Sequence, residues 1–425
     1  MKTKGPTVSD YFWLREESRK IHEKNRQTGV AEWCGHSYDF SCPSHLTYPF
    51  QWFWDSCFNA IALSHFDVKR AESELVSLLK NQHEDGFVSH VTFWQRDQHE
   101  EVVSTYAIAF RNKYLTDEMQ PPLLAEAVAA VASRGRGPEF LREIMPSVRR
   151  FYDWLDAVRS PYGDGLIRVV QPDETGLDHS PKWDDLMEIK DEENASWFKG
   201  WNLICDKYVP YNRDPKKMIA EDYFVVADVM VNTIYIENLR VMASIYLQLD
   251  DKESAEIFSK RAELARVNLD KKCWDQEAGL YFDVNGKDDR KIRVNTFSSL
   301  MPLLLPDLDP AKRDELMKHL LNPAEYWAEY PIPTVAMNNP SFRPDTVGGN
   351  LVFRGPTWLH SNWYLARGLI RHGRMDLARH IASQSLELIR KSGVREYYNP
   401  HNATGWGAPD FSWSTVTLDL VEQVL

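Results

Sequence analysis

The feature that most constrains the fold is the order of helix-length segments. They follow one another in pairs: 52–65 with 68–82, 121–133 with 138–159, 222–249 with 251–270, and 357–371 with 374–391. A further helix over 310–321 opens on Asp309-Pro310, a cap followed by proline at the first helical position. A last helix covers about 412–424. Asp250-Asp251 supplies an N-cap between two partners, Gly373 divides another pair, and Pro146 is expected to kink or split its helix. Leu377, Ile381 and Leu388 recur near helical spacing. Residues 223–231 are apolar nearly all round, which suits a helix inside a layered structure. Strand signals are few: 166–170 and 280–283 read as β-hairpin pieces in connections.

Two long stretches, 160–220 and 322–356, fit neither pattern and are rich in Pro, Gly, Asn, Asp and aromatics. Loops this long are usually functional or disordered. Their aromatic content favours order. The pattern fits an all-α closed ring of helix hairpins, with small β-hairpin insertions and the long loops gathered at one end. Such a scaffold carries its site on those loops.

Several function classes drop out. Lys plus Arg is 50 against 62 Asp plus Glu, a net charge of −12, so the chain lacks the excess cations that bind nucleic acid or anionic lipid. No run approaches the 18 apolar residues of a membrane helix. The start has lysines but no apolar h-region, and Cys34, Cys42, Cys57, Cys205 and Cys273 form no CxxC pair. Free thiols in the cytoplasm are the expectation. There is no phosphate loop and no nucleophile elbow. His83-Glu84 and His99-Glu100 lack the second histidine of a zinc-protease motif. Asp184-Asp185-Leu-Met-Glu188 has the form of a helical metal site but no second metal-binding segment accompanies it. No cofactor and no metal are expected.

Four segments carry chemistry. The first is Tyr48-Pro-Phe-Gln-Trp-Phe-Trp-Asp55-Ser56, in which Trp52, Trp54 and the acid sit at a loop-to-helix junction. Next comes Asp173-Glu-Thr-Gly-Leu-Asp178-His-Ser-Pro-Lys-Trp183-Asp184-Asp185, where Gly176 permits a tight turn before Asp178. Then follows Phe353-Arg354-Gly-Pro-Thr-Trp358, whose Arg and Trp have the form of a sugar or carboxylate clamp. The fourth is Arg395-Glu396-Tyr-Tyr-Asn-Pro400 with Trp406-Gly-Ala-Pro-Asp410-Phe-Ser-Trp413. Flat rings cover the C–H faces of a pyranose, and carboxylates and amides take its hydroxyls. Fifteen tryptophans are many for a core, and ten of them stand in or beside these segments and loops: Trp52, Trp54, Trp94, Trp183, Trp197, Trp201, Trp358, Trp363, Trp406 and Trp413. The expected partner is a small, neutral carbohydrate. Two carboxyls from separate loops suit glycoside hydrolysis.

In this order the four segments resemble glycoside hydrolase family 63, most closely its short bacterial and plant members, the mannosylglycerate and glucosylglycerate hydrolases. The anchors run from residue 48 to 413. The resemblance implies an (α/α)6 barrel, one catalytic domain over 1–425 with a loop insertion around 160–220, and an inverting mechanism. It makes Asp178 the general acid and Glu396 the general base. It places Tyr48, Trp52, Trp54, Asp55, Trp94, Gln120, Asp173, Arg354, Trp358 and Trp406 around the sugar. The chain departs from the family at Phe93, Val352 and Phe353, which cannot donate the hydroxyl hydrogen bonds a glycerate carboxylate would use, and at Asp173, where a tryptophan is common. Glycerate specificity therefore does not follow. A trehalase-like or other α-glucosidase with a neutral aglycone, and a non-catalytic sugar binder on the same barrel, are the alternatives. Sugar epimer and aglycone, oligomeric state, a homo-oligomer included, and the binding of a divalent cation stay open.

Overall fold

The computed structural model describes residues 5–95, 100, 110–190, 194–345 and 352–425. His99 lies outside them. The helices are α1 (Val8–Lys24), α2 (Phe53–Leu63), α3 (Val68–Lys80), α4 (Leu124–Arg134), α5 (Pro138–Trp154), α6 (Asn194–Tyr208), α7 (Pro215–Glu221), α8 (Val229–Gln248), α9 (Lys252–Cys273), α10 (Pro310–Leu320), α11 (Leu359–Arg371), α12 (Met375–Ser392) and α13 (Thr417–Val424).

Six segments form an inner ring: α2, α4, α8, the 3₁₀ segment Phe297–Leu304, α11, and Ser412–Val416 continuing into α13. Each packs on the next, and the last packs back on α2, so the ring closes. The outer helices α3, α5, α9, α10, α12 and α1 each lie against the inner ring, several of them bridging two inner segments. This is an (α/α)6 barrel. Burial follows the layers. Every residue of α2 is buried, and α8 and α11 are buried over most of their length. Outer helices such as α3 and α12 bury one face.

The paired-helix reading holds, with corrections. Helix α1 was not expected; it comes from the N-terminus to complete the sixth hairpin with the C-terminal helix. The 160–220 stretch is not all loop, because α6 and α7 lie inside it. Trp197, Trp201, Ile204 and Tyr208 make the buried stripe of α6 at helical spacing. Its aromatic content read as loop chemistry. The helix expected from 222 starts at Val229 instead. Asp228 caps it, accepting from the Val231 N–H at 2.8 Å, while Val226–Ala227 pairs as a strand with Asp283–Asn285. Pro146 neither ends nor splits α5. It lies on the exposed face, where water can take the carbonyl it leaves unpaired. Residues 166–170 contribute one isolated bridge, Val169 to Val226, rather than a hairpin. Residues 412–424 begin as a 3₁₀ turn before α13. Small antiparallel pairings sit between the helices, among them Arg26–Val30 with Ser37–Ser41 and Arg395–Tyr398 with Gly405–Pro409.

No helix among the described residues is long and apolar enough to cross a membrane. None of the five cysteines forms a disulfide.

Candidate active site

At the loop end of the barrel a cavity of about 540 Å³ is lined by residues from all four segments. Its lining includes Tyr48, Trp52, Trp54, Asp55, Gln120, Asp173, Asp178, Trp358 and Glu396. The volume lies in the range of small-molecule sites.

The acid loop is held from three sides. Glu174 pairs with Arg159, both buried, and accepts from the Val170 N–H at 2.8 Å. Lys182, fully buried, pairs with Asp283 at 2.9 Å and with Asp228, the cap of α8. Arg354 Nη1 donates to Asp184 Oδ2 at 2.8 Å, and its Nε donates to the His179 carbonyl at 3.0 Å. Of the acids in this loop, Asp173 and Asp178 line the cavity. Asp184 of the DDxxE pattern is taken by Arg354. Gly176 has φ of +66°, and a Cβ there would run into the Trp54 ring. The turn that aims Asp178 is thus packed onto the first segment.

Glu396 stands at an irregularity in the pairing of Arg395–Tyr398 with Gly405–Pro409. Its Oε2 accepts the Ala408 N–H at 2.8 Å. Gly407, at φ +66°, lies so close that any side chain would meet the carboxylate. Tyr398 exchanges backbone hydrogen bonds with Thr357 at 2.8 and 2.9 Å, which joins the base strand to the segment of Trp358.

The aromatics form connected walls. Trp358 stacks on Phe353 with centroids 4.3 Å apart and on Tyr397 at 4.9 Å. Trp54 meets Trp413 edge-on at 5.4 Å, and Trp52 meets His90 at 5.4 Å. Gln120 Oε1 accepts the Trp54 N–H at 2.9 Å at the start of α2, so its NH2 is the end left for a ligand.

Burial dominates the electrostatics. It lifts Asp178 to about 6. It lifts Glu396 to about 7, with the Asp178 charge adding to the rise. Asp55, 5% exposed, rises to about 8 by burial and by the charge of Glu396. Asp173 is pushed well up by burial and by Asp178. Burial lowers His90 and His179 to about 3, the Arg354 charge adding to the fall in His179, so both rings are neutral at pH 7.

Three residues assigned to the sugar do not line the cavity. Trp94 is buried against Tyr38, and its Nε1 donates to Gln51 Oε1 at 2.8 Å. Trp406 stands on the strand opposite Tyr397 and is absent from the lining. Arg354, 1% exposed, clamps the acid loop rather than facing the cleft. The tryptophan excess divides in the same way. Trp52, Trp54, Trp197, Trp358 and Trp413 line the cavity, whereas Trp183, Trp201 and Trp363 are buried in the core. The sequence reading missed His90, His179, Phe198, Tyr397 and Phe411 as lining residues. Tyr397, adjacent to Glu396 in an aromatic run, was findable; His90 carried no local signal.

A closed helical barrel whose loop end holds carboxyls between aromatic walls defines the class of (α/α)6 glycoside hydrolases. Comparison with known proteins narrows this. The model of the mannosylglycerate hydrolase MGH1-like glycoside hydrolase domain matches residues 48–414, and the chain belongs to that family within glycoside hydrolase family 63. It is 29% identical over 405 residues to the mannosylglycerate hydrolase of Thermus thermophilus, covering 88% of this chain and 94% of that protein. It is 24% identical over 419 residues to the glucosylglycerate hydrolase of Mycolicibacterium hassiacum, covering 88% and 92%. The crystal structure of the family 63 mannosylglycerate hydrolase from Thermus thermophilus in complex with glucose superposes with a TM-score of 0.81 at 29% identity, over 96% of this chain and all of that one. The chain is a glycoside hydrolase.

Proposed function

We propose that this protein is an inverting hydrolase of a small α-glucoside or α-mannoside, with Asp178 as general acid and Glu396 as general base. The observation that carries the reading is one cavity lined by two raised carboxyls from separate loops, between rings suited to a sugar. Asp178 gives its proton to the glycosidic oxygen as the bond from C1 to that oxygen breaks. Ala408 occupies Glu396 Oε2, which leaves Oε1 to take a proton from water as the water oxygen bonds to C1. The aglycone leaves as an alcohol, and exchange with solvent resets the pair: Glu396 releases the proton it took from water and Asp178 takes one up.

The working state therefore carries one proton, on Asp178. In the free cleft Glu396 is lifted further than Asp178. The proton has to lie on Asp178 once a glycosidic oxygen is there to accept it. Asp55, at the start of α2, and Gln120 are in position for sugar hydroxyls. The test is a panel of glucosylglycerate, mannosylglycerate, trehalose, kojibiose, nigerose and sucrose, with NMR of the first anomer released. A β-anomer from an α-glycoside supports inversion; an α-anomer defeats it.

A further inference from the structure

Resting on the hydrolase reading above, we infer that the cleft takes an α-glycoside with an uncharged aglycone, a polyol or a second sugar, and disfavours a carboxylate-bearing one such as glycerate. Among the described residues four carboxyl groups line the cavity: Asp55, Asp173, Asp178 and Glu396. Among the described lining residues there is no Lys or Arg. Both lining histidines are neutral at pH 7.

Three cations behind the walls are committed to carboxylates, and Arg395, beside Glu396, donates to the Gly407 carbonyl at 3.1 Å. Arg354 is held by Asp184 and the His179 carbonyl. Arg213, whose charge reaches Asp173, donates to Asp117 at 2.8 Å and to Gln171 at 2.9 Å. Lys182 is buried between Asp228 and Asp283. Turning Lys182 toward a ligand would strand buried carboxylates, and turning Arg354 or Arg213 would strand partly buried ones, a costly exchange. The cavity already holds its own carboxyls with difficulty, since each is lifted from its ordinary range. A ligand carboxylate would add one more negative charge without a counter-ion. A hydroxymethyl group in its place meets carboxyls as hydrogen-bond partners and the apolar edges of Val352 and Phe353.

The test compares matched substrates. Glucosylglycerol and glucosylglycerate differ by CH2OH against COO−, as do the mannosyl pair. The intact enzyme at pH 7 should show kcat/KM at least tenfold higher for the neutral member. Val352→Arg, which adds a cation to the lining, should narrow that ratio at least threefold. Equal or preferred hydrolysis of the glycerate glycosides would overturn this inference and leave the hydrolase reading standing. No turnover of any of the four, nor of trehalose, kojibiose, nigerose or sucrose, overturns both.

Discussion

Arg354 Nη1 lies 2.8 Å from Asp184 Oδ2, and this pair, rather than any ligand contact, is what the Arg-Gly-Pro segment contributes to the cleft. The guanidinium also holds the carbonyl of His179, the residue after the proposed acid. Arg354 is buried but the Asp184 side chain is partly exposed, so losing the pair costs about 1–3 kcal/mol, less than for a fully buried one. Arg354→Ala is expected to lower the unfolding free energy by that order in denaturant titration. Substrate KM at temperatures where the variant is folded should change less than threefold. A large rise in KM with unchanged stability would restore the clamp reading.

Asp178→Asn and Glu396→Gln keep size and hydrogen-bonding capacity but cannot move the proton. General acid–base groups contribute about 10²–10⁴-fold. Each variant should lose at least about 10²-fold in kcat while its melting temperature stays near that of the parent. Turnover of Asp178→Asn near the parental rate would reject the acid assignment.

The pH profile follows from the pair. The singly protonated state is the active one, and it is populated between about 6 for Asp178 and about 7 for Glu396. Plots of kcat/KM against pH should be a narrow bell, falling in acid as Glu396 protonates and in base as the last proton leaves. A plateau extending to pH 9 would contradict the coupled pair.

Asp55 makes a stability prediction. Its folded value, about 8, is above the unfolded one, about 4. The folded state thus holds more protons across that window. The contribution is complete below about pH 4 and is lost as pH rises through about 8. Asp55→Asn is neutral throughout, so the difference in melting temperature, variant minus parent, should grow by about 2 °C or more from pH 5 to pH 8.5. A constant difference would show that Asp55 is ionised in the fold.

Gly407 tests how closely the base is held. Alanine there meets both a left-handed backbone and the Glu396 carboxylate. The backbone term alone is about 1–2 kcal/mol. Gly407→Ala should cut kcat at least tenfold and raise KM less, because the displaced group is the base and not the sugar wall. Unchanged kcat would show that the Ala408 contact is dispensable.

Much of the molecule was legible in the chain. Paired helical segments implied a ring of hairpins because the 3.6-residue period and the caps are local properties. Asp309 and Asp251 mark starts that the structure keeps. The four segments supplied Asp178, Glu396, Trp52, Trp54, Asp55 and Trp358, all of which line one cavity. Helix α6 was hidden by its own composition, since Trp197 and Trp201 on a helical stripe look like loop aromatics until a core is there to receive them.

By itself the sequence determined which residue types meet: carboxyls, rings and amides in a fixed order along the chain. Only the tertiary structure decided which of them face the cleft. Arg354 and Asp184 are as polar as Asp178, yet they face each other, because a buried charge needs a partner and the barrel brings one. Trp94 is as flat as Trp358, yet it stacks on Tyr38 of the strand Ser37–Ser41. Composition sets what a side chain can bind; closure of the ring sets whether it meets a ligand or its neighbour.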